Sequence, residues 1–253
     1  MRITFLGTGT SQGVPVITCP CQVCHSEDPR DRRLRTSALI EHNGSTVLID
    51  AGPDFRQQML TANVMNLDAI LVTHEHRDHI AGLDDIRAFN YFLNRPMDIW
   101  AEPRVHTAIK NIFGYVFSED KYPGSPEMNL HVIDGRSFRV NSIDVLPIRV
   151  MHHKMPVYGF RIDDLTYITD ANGIADEEKE KMAGTSCLIV NALRQRKHLS
   201  HFSLREALAL IAEVKPQQAY ITHISHQMGL HAEVQKELPQ NVFLAYDGLT
   251  VDL

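Results

Sequence analysis

Residues 74–79 read His-Glu-His-Arg-Asp-His and follow directly on the apolar run Ala-Ile-Leu-Val-Thr at positions 69–73. A short apolar run bounded by polar residues is typical of a buried strand. Just past the end of such a strand, alternate side chains can point into one cavity. Imidazole and carboxylate groups are ligands that zinc and similar divalent metals prefer. The stretch therefore predicts a metal centre at the end of a strand.

Ligand-type residues also stand at the ends of other predicted strands. His152 and His153 close one strand, Asp170 closes another, and His223 closes a third. Polar residues at strand ends are common turn formers, and that role alone would account for Asp170. It does not account for the whole series, which indicates a site built on a rigid scaffold.

Length, composition and charge exclude several classes of protein. No stretch of the 253 residues reaches the roughly 18 consecutive apolar residues of a membrane span. The apolar part of residues 1–7 is too short for a secretory signal, so we expect a cytoplasmic protein. Its four cysteines are then thiols or ligands rather than disulfides. The formal net charge of -6 argues against long nucleic acid as a partner.

Short apolar strands alternate with a few helices along the chain. Strands are predicted over residues 2–6, 37–41, 46–50, 68–73, 143–150, 157–162, 166–169, 186–190, 218–222 and 242–245. Helices are predicted over residues 82–93, 104–117, 176–181, 203–214 and 232–238. Residues 47–52 and 166–173 resemble each other, since in both a strand ends in aspartate before a small residue and a glycine-bearing turn. Two such halves predict one α/β domain over residues 1–253, a sandwich of two mixed sheets with helices outside.

A second cluster of ligand-type residues lies in a loop after the first predicted strand. It consists of Cys19, Cys21 and Cys24. Three thiolates at this spacing can occupy three corners of a zinc tetrahedron, and the fourth ligand must come from elsewhere. His226, three residues past His223, is the natural candidate for that ligand, and His25 is the alternative. We therefore predict one structural Zn²⁺, whereas Cys187 in an apolar strand is expected to be buried.

The order of the ligand-type residues resembles the metallo-β-lactamase superfamily over nearly the full chain. The resemblance includes the turn at residues 7–11 and the segment at residues 48–52. It implies a four-layer αββα sandwich that holds two metal ions. It assigns the first ion to His74, His76 and His152, the second to Asp78, His79 and His223, and a bridging position to Asp170.

Two details of that assignment follow from the superfamily pattern. Members have a Gly-aromatic pair seven residues after the third histidine, and Gly159-Phe160 stands at that distance from His152, which favours it over His153. Flavin-partnered diiron relatives have glutamate where this chain has His76, so the resemblance favours Zn²⁺ or Mn²⁺ over iron.

The cysteine loop together with the stretch 222–226 resembles one family in this superfamily, the accessory phosphodiesterases of the carbon–phosphorus lyase pathway. The resemblance implies hydrolysis of a small, cyclic phosphodiester by a hydroxide that bridges two ions roughly 3.5 Å apart. It also suggests a homodimer. It places the catalytic histidine on His201, which would protonate the leaving alkoxide or hold a phosphoryl oxygen, while Asp78 would help to position the hydroxide.

Four other residues have predicted roles in or near this site. Asp50 is expected to orient a ligating histidine by accepting its second N–H. Arg194, Arg196 and Lys197 lie in a loop that differs from that family. They could receive a second anionic group of the substrate, or they could form an exposed charged loop.

Three other functions compete with this interpretation. The first is an RNA 3′-end processing hydrolase of the tRNase Z type, although its extended tRNA-binding arm has no counterpart between His153 and Ser203. The second is a thioesterase or lactam-type hydrolase, in which the same hydroxide attacks a carbonyl carbon. The third is a non-enzymatic, metal-dependent binding module, against which the full set of ligands argues.

Overall fold

The structure, a computed structural model, describes residues 1–253. Its strands are β1 (Arg2–Gly7), β2 (Ser37–His42), β3 (Ser45–Ile49), β4 (Ala69–Leu71), β5 (Met97–Ala101), β6 (Met128–Val132), β7 (Phe138–Val140), β8 (Ile143–His152), β9 (Met155–Ile162), β10 (Leu165–Ile168), β11 (Gly173–Ile174), β12 (Cys187–Asn191), β13 (Gln218–Thr222), β14 (Val242–Leu244) and β15 (Thr250–Asp252). Its α-helices are α1 (Phe55–Thr61), α2 (Arg77–Ile80), α3 (Arg87–Leu93), α4 (Pro103–Ile112), α5 (Asp176–Glu180), α6 (Leu204–Val214) and α7 (His231–Glu237). None of them is long and apolar enough to cross a bilayer.

The strands form two mixed sheets. The first has the order β15-β1-β2-β3-β4-β5-β6, and the second has the order β11-β8-β9-β10-β12-β13-β14 with β7 beside β8. One apolar cluster lies between the sheets and takes side chains from both, such as Phe5 and Ile49 from the first and Tyr167 and Ile189 from the second. The two sheets therefore pack face to face, as the sequence predicts.

Each sheet buries its outer face under helices. Phe55 of α1 and Ile109 of α4 belong to a cluster on the first sheet, and Leu210 of α6 belongs to a cluster on the second. The central strands are buried on both faces, which is why β12 reads as a continuous apolar run with Cys187 fully buried. The predicted four-layer αββα sandwich is confirmed.

The parallel strands in each sheet point their carboxyl ends toward one edge of the sandwich. In the first sheet β3 and β4 run parallel, and in the second β10, β12 and β13 do so. Asp50 follows β3, Asp170 lies two residues past β10, and His223 follows β13. The carboxyl ends of parallel strands meet at the same edge, so these residues of distant sequence position come together there.

Helix α6 begins immediately after the loop that contains His201. Ser203 caps it, because its hydroxyl accepts from the Glu206 N–H at 3.4 Å and its own N–H donates to the Glu206 carboxylate at 2.9 Å. Such a reciprocal pair satisfies two backbone donors and fixes where the helix starts. The cap therefore also fixes the end of the His201 loop against the second sheet.

Candidate metal centre

Three histidines from two segments meet at the edge of the sandwich. His74 and His76 follow β4, His152 ends β8, and one ring nitrogen of each lies within 4.8 Å of the others. The Nδ1–H of His152 donates to the Ser200 carbonyl at 2.9 Å, which leaves its other nitrogen free. His153 is exposed and belongs to none of these groups. The structure thus places His152, not its neighbour, beside the other two rings.

A second group of donors surrounds the Asp170 carboxylate. Its Oδ2 lies 3.2 Å from Nε2 of His79 and 3.2 Å from Nδ1 of His223. The same His79 nitrogen lies 3.2 Å from Oδ2 of Asp78. His74 also lies within reach, since His74, His79 and Asp170 form a group of mutually close donors. Asp170 therefore stands between the two sets of predicted ligands.

Three of the residues at this edge have left-handed backbone conformations. The φ angle is 62° at Asp50, 55° at Asp170 and 54° at His223. Positive φ is uncommon outside glycine, although Asp, Asn and His tolerate it better than other residues. Its concentration here shows that the chain turns sharply at each strand end to direct these side chains, which is typical of functional sites.

Asp50 binds the nitrogen of His79 that points away from Asp78 and Asp170. It is fully buried, its Oδ2 accepts from His79 Nδ1 at 2.6 Å, and it also accepts from the N–H and hydroxyl of Thr73. Burial raises the pKa of Asp50 and its bond to His79 opposes that shift. This contact directs Nε2 of His79 toward Asp78 and Asp170, which is the orienting role that the sequence predicts for Asp50.

The donors fit a divalent metal. Nε2 of His79 is buried 3.2 Å from the Asp78 and Asp170 carboxylates, but neither contact has the geometry of a hydrogen bond, so a divalent ion would satisfy this nitrogen. Burial lowers the pKa of His79, but the carboxylates of Asp50, Asp170 and Asp78 raise it well above its usual value. Only the deprotonated nitrogen can bind a metal, so metal binding would displace any proton held there.

His201 lies beside the metal ligands without belonging to the predicted set. Its Nε2 is 2.8 Å from Oδ1 of Asp170, and its ring stacks on that of His223 with centroids 5.0 Å apart. On its other side, Nδ1 of His201 lies 3.2 Å from Nδ1 of His198, a residue that the sequence did not single out. The three-residue spacing of these two histidines was the only sequence signal for their contact.

The charged loop before His201 divides into two parts. The Arg194 guanidinium donates to Oε1 of Gln227 at 2.7 Å and to the carbonyls of Arg196 and Lys197 at 3.2 and 3.0 Å, so it shapes the loop. The side chains of Arg196 and Lys197 are exposed. Of the three predicted anion-binding residues, these two therefore present free charge.

The cysteine loop meets His226 in a separate group. The thiols of Cys19, Cys21 and Cys24 and the His226 ring lie within 4.8 Å of one another, with Cys19 Sγ 3.2 Å from His226 Nδ1. Burial raises the pKa of Cys21, but the Cys24 N–H and the His226 ring bring it down to about 6. His25 lies outside the group and contacts the Cys21 carbonyl at 3.2 Å. Three sulfurs and one imidazole are a donor set that fits structural zinc.

Comparison with known proteins places this arrangement among metal-dependent hydrolases. The model of the family described as "Beta-lactamase superfamily domain" matches residues 45–224. The crystal structure of a diphosphatase from the PhnP family superposes with a TM-score of 0.93 and 35% identity, covering 100% of this chain and 97% of that chain.

Two curated relatives are considerably longer than this chain. An octanoyltransferase from Porphyromonas gingivalis is 42% identical over 252 residues, which cover 98% of this chain and 51% of that protein. A ribonuclease Z from Methanosarcina acetivorans is 27% identical over 168 residues, which cover 64% of this chain and 48% of that protein. The matched part of the chain thus spans about half the length of each of these two relatives.

Proposed function

Because the chain belongs to the metallo-β-lactamase superfamily and, within it, to the PhnP family, we propose that it hydrolyses small phosphodiesters, preferably cyclic ones. The observation that carries this proposal is the position of His201, whose Nε2 lies 2.8 Å from Asp170. Hydrolysis of a phosphodiester expels an alkoxide, and an alkoxide leaves readily only when it receives a proton. The similar diphosphatase acts on a phosphorus compound, which also supports attack at phosphorus here.

In the proposed enzyme, the ligand residues form two sets, one for each metal ion. His74, His76 and His152 would hold one divalent ion, Asp78, His79 and His223 would hold a second, and Asp170 would lie between them. When bound, such ions supply a nucleophilic hydroxide at neutral pH and neutralise charge on phosphoryl oxygens. We propose that these ions are Zn²⁺ or Mn²⁺.

The remaining residues orient the reactants and move the proton. The Asp78 and Asp170 carboxylates would lower the net positive charge of the metal-loaded site and accept hydrogen bonds from the attacking water. His201 donates its Nε2 proton to the departing oxygen. Nδ1 of His198 accepts a hydrogen bond from the Ser200 N–H at 3.3 Å, so it is an acceptor that can also hold the Nδ1–H of His201. Arg196 and Lys197 can attract a distal anionic group of the substrate.

Hydrolysis of an acyl ester or thioester is the second candidate, since the relative of 42% identity is an octanoyltransferase. RNA 3′-end processing is the third, because ribonuclease Z relatives match part of the chain. A thiolate leaves without a proton, so hydrolysis of a thioester does not require His201. Cleavage of RNA also expels an alkoxide, but an RNA substrate requires a wider binding surface than a small phosphodiester does.

A substrate panel tests the proposal. Zinc-loaded and manganese-loaded protein would be assayed with bis-(p-nitrophenyl) phosphate, a 2′,3′-cyclic nucleotide, a ribosyl 1,2-cyclic phosphate, a dinucleoside diphosphate, an octanoyl thioester and a precursor tRNA. We expect the phosphorus compounds of low molecular weight to be cleaved, the cyclic ones with the highest kcat/KM. Cleavage of the thioester alone, or of the tRNA alone, would contradict the proposal.

Replacement of His201 by asparagine should produce an effect that depends on the leaving group. For a cyclic substrate, which expels an alkoxide, we expect kcat to fall by about 10²- to 10⁴-fold, the usual contribution of a general acid. For bis-(p-nitrophenyl) phosphate we expect a loss of at most about tenfold, because nitrophenolate leaves without a proton. Steady-state kinetics on both substrates measure the difference, and His153→Asn, an exposed neighbour of a ligand, is the control. Equal losses on both substrates would refute the acid role.

A further inference from the structure

Arg104, the second residue of α4, joins three separate segments with one side chain. Its Nη1 donates to Oε1 of Glu75 at 2.7 Å, and its Nε donates to Oε2 of Glu102 at 2.7 Å. Its Nη2 donates to the backbone carbonyl of Pro156. The side chain is about 30% exposed, so it lies largely within the protein beside the metal centre rather than on its surface.

Two of these partners belong to the segments that carry metal ligands. Glu75 is the second residue of the stretch 74–79, and it lies between the two histidines that face the first metal position. Pro156 is on β9, where it pairs with Met151, and the next pair of the same hairpin contains His152. One guanidinium therefore ties together the two segments that supply all three ligands of the first position.

The Glu75 carboxylate depends on Arg104 for its charge compensation. Oε2 of Glu75 is buried without a hydrogen-bond partner, and Arg104 is the only cation paired with this side chain. Removing one partner of a shielded ion pair leaves the other uncompensated, and that group then moves or draws in water. Apart from Arg104, the backbone bond from Tyr158 N–H to the Thr73 carbonyl at 3.2 Å joins the two segments.

Glu102 makes the contact rigid from the other side. It precedes α4, its Oε2 binds Arg104, and its Oε1 accepts from Arg149 at 3.2 Å. The Arg149 guanidinium in turn lies over the ring of Tyr158, 4.6 Å from its centroid. The planar fork of Arg104 is thus held in place before any metal binds, and a fixed fork loses little entropy when it orients its partners.

We propose that Arg104 is a positioning residue for the first metal position, and that it holds the 74–79 stretch and the His152 hairpin at the separation that one divalent ion requires. The proposal rests on the ligand sets of the proposed function, but it does not depend on the substrate. Loss of Arg104 should weaken one metal equivalent and spare the ion at Asp78, His79 and His223 and the cysteine site.

The test is withdrawal of Zn²⁺ from the purified holoprotein by a competing chelator, with the equivalents retained counted by native mass spectrometry. We expect Arg104→Met to weaken the affinity for one equivalent by about 10- to 100-fold, the usual effect of losing an outer-sphere partner. Arg104→Lys should lie between it and the wild type, because a lysine cannot bind all three partners. The control is Arg139→Met, which breaks an exposed ion pair between Arg139 of β7 and Asp144 of β8.

A double variant tests whether Arg104 acts through Glu75, and melting of the metal-free protein separates positioning from general stability. Arg104 acts partly through Glu75 on this proposal, so the effects of Glu75→Gln and Arg104→Met on metal affinity should overlap. The double variant should therefore bind the metal more tightly than the sum of the two single losses predicts. Unchanged affinity in Arg104→Met, or an equal weakening of all equivalents together with a lower melting temperature of the metal-free protein, would overturn the proposal. Titration of His76→Ala under the same conditions tests the ligand set itself, so failure of that set is distinguishable from failure of Arg104.

Discussion

Alanine in place of His76 is expected to reduce kcat/KM by at least about a thousandfold on any phosphodiester that the wild type cleaves. The reason is that a bound metal contributes several kcal/mol to transition-state stabilisation, and each 1.36 kcal/mol corresponds to about tenfold in rate. His76 is exposed, and it contacts the ring of His74 with 3.0 Å between their nitrogens. Its loss should therefore leave the free energy of unfolding of the metal-free protein within about 0.5 kcal/mol of that of the metal-free wild type.

Kinetics, metal content and thermal melting of the same preparations check this expectation. Arg77→Ala is the matched control, because Arg77 is the next residue, is also exposed and is not a predicted ligand. We expect that control to retain near wild-type kcat/KM and metal content. Undiminished turnover in His76→Ala with the wild-type number of ions would contradict the assignment of the first metal position.

Serine in place of Cys21 is expected to act first on stability. The group of three thiols and His226 holds the loop at residues 19–24 against the segment that follows β13. Structural zinc sites contribute their binding free energy directly to folding. A loss of about 3–5 kcal/mol corresponds to a fall in melting temperature on the order of 10 °C for a chain of this size.

Calorimetry and zinc analysis provide the measurement for the cysteine site. Cys21→Ser should lose one equivalent of zinc and melt at a lower temperature. The control is Cys187→Ala, because that thiol is buried between the sheets away from the loop and its removal should leave the zinc content unchanged. An unchanged melting temperature in Cys21→Ser, with full zinc content, would show that the thiols are not a structural zinc site.

Much of the centre could be predicted because its signals are local. The 74–79 stretch combines ligand chemistry with a strand that ends directly before it, and both features are visible within a few residues. Strand β13 lies where it was predicted, and β8 and β10 differ from their predictions by only one or two residues at an end. These nearly correct strand ends were enough to predict that His152, Asp170 and His223 lie at one edge of the sandwich.

The region between the ligand motifs was predicted less well. Strands β5 and β6 were missed, because β5 follows Pro96 and alternates buried and half-buried residues, while β6 is an edge strand with Asn129 and His131. Polar residues on a strand with one exposed face weaken the apolar signal. The predicted helix over residues 82–93 is instead a 3₁₀ turn, Leu83–Ile86, followed by α3.

Contacts between distant positions could not be derived from spacing at all. Arg104 meets Glu75 across 29 positions and Pro156 across 52, so no local pattern connects them. The contact of His198 with His201 is close in sequence, but its meaning depends on where Asp170 lies. Residues that position other residues are therefore visible only once the fold is known.

The junction of the cysteine loop with His226 has a consequence for biosynthesis. The two sides of that site are 207 positions apart, so the thiols leave the ribosome long before their imidazole partner is made. Pairings of such high sequence separation form late, after most of the chain has condensed. Zinc captured early by the three thiolates would wait for the last ligand. Cells starved of zinc should therefore yield less folded protein.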